Sequence, residues 1–375
     1  MKTALITGIN GQDGAYLAEF LLSIGYTVIG GKRRASRESL WRLERLQVAA
    51  HSRLRIVDLD ITDLSNCIRV IAEFRPSELY NLAAQSHVGL SFSQPAETTL
   101  TNAVGVQNLL EALRITGVES RFYQAGTSEM FGKVTDIVQD EETKFYPRSP
   151  YGVSKLYAHW LTINYRESYG IHAACGILFN HESPLRTKDF VTRKITSGFA
   201  RIVAGAAMSI KLGNLDSRRD WGYAKEYVVG MWKMLQVSNP STYVLATNRT
   251  TTVREFASLA AEANGLKLDF VGDGVQERAV DRRTGRIVVE VDPVLYRPAE
   301  VELLCGCAAK ANRDLDWRPS TSIESLVELM VKADLNELGI NGVANSNGWR
   351  KYARAGMPFL RPSVARLGEG NRVSE

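Results

Sequence analysis

Four residues in one part of the chain carry groups that can move protons beside a carbon–oxygen bond: the Thr127 hydroxyl, the Glu129 carboxylate, the Tyr151 phenol and the Lys155 ammonium. Val153, Leu156, Tyr157 and Trp160 recur at helical spacing, which predicts a helix over residues 150–168 and sets Tyr151 and Lys155 one turn apart on one face. A free phenol ionises near pH 10 and is a poor base. An adjacent ammonium favours phenolate, so the pair can take the proton from a sugar hydroxyl while a nicotinamide takes the hydride from the same carbon. Tyr and Lys also share helices for packing alone, so the tetrad needs a cofactor site beside it.

The N-terminus offers one. Lys2 to Thr7 reads as a short apolar strand; Gly8, Gly11 and Gly14 follow, interleaved with Asn10, Gln12 and Asp13, and a helical pattern opens at Tyr16, Leu17, Phe20 and Leu21. Strand, glycines and helix in that order are what a dinucleotide requires: a tight turn, backbone close to the pyrophosphate and a helix packed near the sheet. The second strand, Tyr26 to Ile29, leads into Arg33 and Arg34, where a site selective for NAD would place an acid against the ribose 2′-hydroxyl. Two guanidiniums there suit a 2′-phosphate, and the expected cofactor is NADP.

Strands expected near 2–7, 26–30, 54–58, 77–81, 120–125 and 172–178 alternate with helical stretches, the pattern of a Rossmann-type, doubly wound parallel sheet in an α/β protein. This predicts a dinucleotide-binding domain over 1–178 to which later segments return. A smaller mixed lobe over 179–335, with an irregular charged stretch from Gly272 to Arg286, and a loosely ordered tail over 336–375 complete the expected organisation.

A chain of 375 residues with 45% hydrophobic content can bury a large core, and 46 Lys and Arg against 41 Asp and Glu give a formal charge of +5, too modest and dispersed to indicate nucleic acid. Cys67, Cys175, Cys305 and Cys307 form no metal-like set with histidine and read as reduced thiols, so no metal is expected. Without a long apolar run or a charged-then-apolar leader, the expected location is the cytoplasm, away from membranes.

From about residue 1 to 335 the chain resembles the GDP-mannose 4,6-dehydratases, a branch of the extended short-chain dehydrogenase/reductase family. The shared strings are the glycine segment at 7–14, LysArgArgAlaSer at 32–36, TyrAsnLeu with AlaXxxSerHis at 80–87, PheTyrProArgSerProTyr at 145–151 and AsnTyrArgGluSerTyrGly at 164–170. LeuPheAsnHisGluSerPro at 178–184, ValThrArgLys at 191–194, ArgAspTrpGly at 219–222 and ArgProAlaGluVal at 297–301 complete the set. Departures from the family strings fall at Gly126, at Glu97 and at Thr187-Lys188-Asp189 after Arg186. The resemblance implies cofactor contacts from Asp60, Ile61, Leu82, Ala84, Ser86, His181 and Arg186 besides the glycine segment, the arginine pair, Tyr151 and Lys155. It implies GDP-sugar contacts from Ser86, Glu129, Asn180, Val191, Lys194, Arg219, Arg297 and Glu300. In its scheme hydride leaves C4 of the hexose, Glu129 removes the C5 proton and protonates the departing C6 hydroxyl, hydride returns to C6, and Thr127 bonds the C4 oxygen. The alternatives left open are a GDP-manno-heptose as substrate, a 4-epimerase or 4-keto reductase, which would need Tyr151 and Lys155 but not Glu129, and a noncatalytic protein on the same fold. A homodimer or homotetramer is also expected, through an amphipathic helix over Ala35 to Val48 that carries Leu40, Trp41, Leu43 and Leu46.

Overall fold

The structure is a computed structural model and describes residues 2–35, 40–134, 136–296, 301 and 303–340. Six strands stand where the sequence predicts them: β1 (Thr3–Thr7), β2 (Thr27–Lys32), β3 (Leu54–Asp58), β4 (Glu78–Asn81), β5 (Arg121–Ala125) and β6 (Ala173–Leu178). A seventh, Thr242–Leu245, was not read from the sequence. The sheet runs Thr242–Leu245, β6, β5, β4, β1, β2, β3, with every pairing parallel.

The burial of β1 shows why the strand is apolar throughout rather than alternating. Ala4 and Ile6 face one layer with Ala15, Leu17 and Leu21 of the Gln12–Ser23 helix and Val228 and Met231 of the Ala224–Met234 helix. Leu5 faces the opposite layer with Val70, Leu109 and Ala158, from the Leu64–Phe74, Gly105–Thr116 and Pro150–Tyr169 helices. Both faces of a parallel sheet are dry, so both sets of side chains are hydrophobic.

Beyond Leu178 the chain builds a second core around the Val191–Val203, Val253–Ala263 and Ile323–Glu337 helices, where Phe199, Phe256 and Met330 meet. Thr252 and Glu255 close a reciprocal capping box at the start of the middle helix. The Ala224–Met234 helix, the seventh strand, and the Ala309–Leu315 helix with Trp317 pack into the same core as β1 and the Gln12–Ser23 helix.

Three expectations need correction. Gly272 to Arg286 is not an irregular lobe: Arg278–Asp281 pairs with Leu268–Val271 and Ile287–Val291 in a four-stranded sheet, with Arg278 exposed while Glu277 and Asp281 are buried. The expected tail does not begin at 336, because the last helix runs to Glu337 and Ile340 packs on the second core; residues 341–375 lie outside the described residues. The helix over Ala35 to Val48 is only Trp41–Arg45, with 36–39 outside the described residues, and Trp41 packs against its own chain's core beneath the Arg42 guanidinium, 4.4 Å from the ring.

Candidate active site

The first wall is the glycine turn after β1. Gly8 has φ +66°, a left-handed conformation open to glycine, and a Cβ on Gly14 would lie 2.4 Å from the Gly8 carbonyl oxygen. Gly11 caps the 12-residue Gln12–Ser23 helix with no side-chain bond, so the first-turn amides are left to a ligand. Thr7 ties the ends of β1 and β4 together: its hydroxyl accepts from the Leu82 and Ala83 amides at 3.1 and 3.0 Å and donates to Asn81 at 2.7 Å. Strand order reverses between these two strands, which is where such sheets bind dinucleotides. The Asn10 carbonyl accepts from Arg42 at 2.8 Å, and Gln12 donates to the His181 carbonyl at 3.1 Å.

Around this turn, Asp13 and His181 face each other at 2.9 Å. Burial works against both charges, but their mutual attraction and hydrogen bond win, lowering the Asp13 carboxyl and raising the His181 imidazole from their ordinary values. Arg33 and Arg34 follow β2 and are exposed; Arg33 meets Glu97 at 3.2 Å. After β3, Asp60 bonds the Thr62 amide and hydroxyl at 3.0 and 2.7 Å, while Ile61 is in the core with its carbonyl accepting from Asn108 at 2.9 Å.

A cleft of about 790 Å³ opens beside this wall, and Leu82, Ala84, Ser86, Thr127, Glu129, Tyr151, Lys155, Asn180, His181, Arg186, Val191, Lys194 and Arg219 all line it. Residues predicted from six separated segments of the chain therefore meet in one place. Thr127 caps the short turn Ser128–Met130 after β5, which carries the buried Glu129. Gly152 lets the Pro150–Tyr169 helix approach this turn, since a Cβ there would stand 2.7 Å from the Glu129 carbonyl. Pro150 and the Ser149 cap, which accepts from the Gly152 amide at 3.0 Å, start that helix where Tyr151 reaches the cleft.

The helix is the predicted one, and the face that carries Tyr151 and Lys155 is its buried face. Tyr151, Ser154, Lys155, Ala158, His159 and Thr162 point inward, while Val153, Tyr157 and Trp160 are 56%, 46% and 55% exposed. Of this inner face Tyr151 and Lys155 reach the cleft, while Ser154 accepts from Asn102 at 3.2 Å and Thr162 donates to the Ala158 carbonyl at 2.7 Å; the apolar period belongs to the outer stripe.

Electrostatics correct the expectation for the phenol. Tyr151 is pushed up to about 12, first by burial and then by the Glu129 charge, against a hydrogen bond from Thr127 that pulls it down. The Lys155 ammonium donates to the Ala125 carbonyl at 2.9 Å and is itself held down at about 8 by burial, with Asp13 opposing. In the free protein the expected lowering of the phenol by Lys155 is absent, because burial outweighs the nearby charges and the ammonium is turned toward a carbonyl.

Three cations, Arg186, Lys194 and Arg219, also line the cleft. Lys194 comes from the first turn of the Val191–Val203 helix, and the buried Arg219 donates to the Arg218 carbonyl at 2.9 Å. Arg186 pairs with Glu182 at 3.3 Å and lies 3.5 Å over the Phe190 ring. Asn180 keeps a buried side-chain oxygen without a hydrogen-bond partner on the cleft wall. Arg297 and Glu300 lie outside the described residues. Sequence reading missed Phe190, His87, Trp221 and Tyr296 as lining residues; His87 and Trp221 lie inside quoted strings and were legible in principle, whereas Phe190, packed between Arg186 and the His87 ring, belongs to none of them. Among the described residues no three His, Cys, Asp or Glu side chains converge to hold a metal, and no helix is long and apolar enough to cross a membrane.

A family model described as GDP-mannose 4,6 dehydratase matches residues 5–330. A GDP-mannose 4,6-dehydratase of Sinorhizobium fredii is 52% identical over 342 residues, covering 90% of this chain and 97% of its own. The GDP-mannose 4,6 dehydratase of Homo sapiens is 45% identical over 346 residues, covering 91% and 93%. Among solved structures, DesIV, a dTDP-glucose 4,6-dehydratase from Streptomyces venezuelae with NAD and TYD bound, has a TM-score of 0.76 at 21% identity over 90% of this chain and 98% of its own. RMD from Pseudomonas aeruginosa complexed with NADPH has a TM-score of 0.70 at 21% identity over 90% and 100%. These two likenesses show the fold.

Proposed function

The chain belongs to the GDP-mannose 4,6-dehydratase family, and from that premise we propose that it converts GDP-mannose to its 4-keto-6-deoxy product and water, with NADP as the resident cofactor. Relatives with this name at about half identity support the activity. The uncapped helix start at Gly11 and the close-packed Gly8 and Gly14 suit a dinucleotide pyrophosphate, and Arg33 and Arg34 suit its 2′-phosphate. Lys194 and Arg219, with the unsatisfied Asn180 oxygen in the same cleft, suit a sugar diphosphate.

When bound, the nicotinamide supplies a hydride acceptor toward C4 and a hydride donor toward C6, so there is no net oxidation. Tyr151 takes the C4 hydroxyl proton; burial holds it as a phenol in the free protein, and cationic charge in the loaded cleft offsets that. Thr127, already bonded to the phenol, steadies the C4 oxygen. The C4 ketone acidifies the C5 proton. Glu129 removes that proton and passes one to the C6 hydroxyl, which leaves as water. The observation that carries this reading is the buried Glu129 in one cleft with Thr127, Tyr151 and Lys155, because a reductase or epimerase needs no carboxylate there. Mass spectrometry of GDP-mannose incubated with the purified protein tests it: loss of one water without added reductant is the expected result, and an unchanged mass would refute it.

The assembly is read as a homodimer or homotetramer. Its support is the outer stripe of the Pro150–Tyr169 helix, where Val153, Tyr157 and Trp160 form an apolar face that a second copy could cover.

A further inference from the structure

Glu97 stands beside Arg33 although 64 residues separate them, its Oε1 3.2 Å from the arginine Nη1, with the two side chains 46% and 65% exposed. It comes from the short Pro95–Thr99 helix and so approaches the end of β2 from a different element. The end of the second strand is where a carboxylate reads the ribose 2′-hydroxyl of NAD and where an arginine reads the 2′-phosphate of NADP. This chain presents both groups there, the arginine from the strand's own exit and the carboxylate from across the loop.

We infer that Glu97 is a cofactor-selectivity residue that gives the site dual use, opposing the 2′-phosphate and accepting a hydrogen bond from the free 2′-hydroxyl. The inference rests on the reading of Arg33 as the phosphate contact. A 2′-phosphate must draw Arg33 away from Glu97 and lies near a like charge, whereas a ribose hydroxyl leaves the ion pair intact. Both side chains are solvated, so the effect is modest and shrinks with salt.

Dissociation constants of NADP and NAD, measured by calorimetry on the full chain freed of cofactor, test this with E97Q and Arg33→Ala. E97Q should tighten NADP and weaken NAD, raising the preference for NADP about three- to tenfold at low salt and less at 0.5 M salt, by roughly the strength of an exposed charge pair acting on a doubly charged group. Arg33→Ala should weaken NADP alone. An unchanged ratio in E97Q, with Arg33→Ala still selective against NADP, overturns the role of Glu97 and leaves the phosphate reading standing. Equal loss of both cofactors in Arg33→Ala overturns the phosphate reading, and the dual-use inference falls with it.

Discussion

Lys155 sits with its ammonium on the Ala125 carbonyl and is held down at about 8 by burial, while an exposed lysine stays charged to about pH 10. The sign follows from the lowered value: the charge is present below about 8 and is lost as pH rises through it. Cofactor binding that uses the ammonium as a donor and as a charge should therefore weaken between pH 7 and 9, by about tenfold if one charge-assisted bond is lost. Calorimetric titration of NADP at the two pH values checks this, and an affinity flat across the range would show that Lys155 keeps its proton or does not hold the cofactor. At this scale the sequence was informative where function depends on residue type and short spacing: Tyr151, Lys155 and Glu129 could be named from their strings. It pointed the wrong way on the phenol, which is raised where spacing to Lys155 predicts it lowered, because burial comes from walls that meet only in the folded chain, and it was silent on the Arg33–Glu97 pair, which no local pattern links.

Among the elements, the strands and the glycine turn were legible because a parallel strand covered on both faces is a short apolar run and a dinucleotide turn needs glycine at set places. The Thr242–Leu245 strand was not, since it follows a long excursion and pairs only with β6 at the sheet's edge. The apolar spacing of the Pro150–Tyr169 helix identified the helix without saying which face is wet, and its Val153, Tyr157 and Trp160 stripe is the outer one. Gly14 shows how tightly the first turn constrains its helix. A methyl group there would stand 2.4 Å from the Gly8 oxygen and 2.8 Å from the Ile9 Cα, so the helix must shift. Gly14→Ala should lower unfolding stability by about 1–3 kcal/mol, the usual cost of overpacking, and weaken cofactor binding with it. Denaturant unfolding beside cofactor titration would check both, and a variant with unaltered stability would mean the turn has slack the structure does not show.

For the whole molecule, apolar cores on the two faces of the parallel sheet work with a further core that holds the helix carrying Lys194. The cleft draws on segments from Asp13 to Tyr296, so it exists only when all of them are folded. Three large apolar residues on the outer stripe of the Pro150–Tyr169 helix remain open to water in the single chain. If a second copy covers them, Trp160→Asp with Tyr157→Asp should halve the mass seen by light scattering at micromolar concentration while the circular dichroism spectrum is retained. An unchanged assembly would place the interface elsewhere.

Glu129 separates this chemistry from a simple oxidation at C4, and solvent isotope exchange reads its action directly. Wild type and Glu129→Gln would be incubated with GDP-mannose in deuterium oxide, and the products examined by mass spectrometry and proton NMR. The wild type should yield the 4-keto-6-deoxy sugar with deuterium at C5. Glu129→Gln should keep its fold, form product about 10²–10⁴-fold more slowly and bring no deuterium into C5 of unreacted or partly oxidised sugar, as expected when one group serves as both base and acid. Product formation by Glu129→Gln at a rate near wild type, with C5 deuterated, would contradict the account and make the buried carboxylate structural.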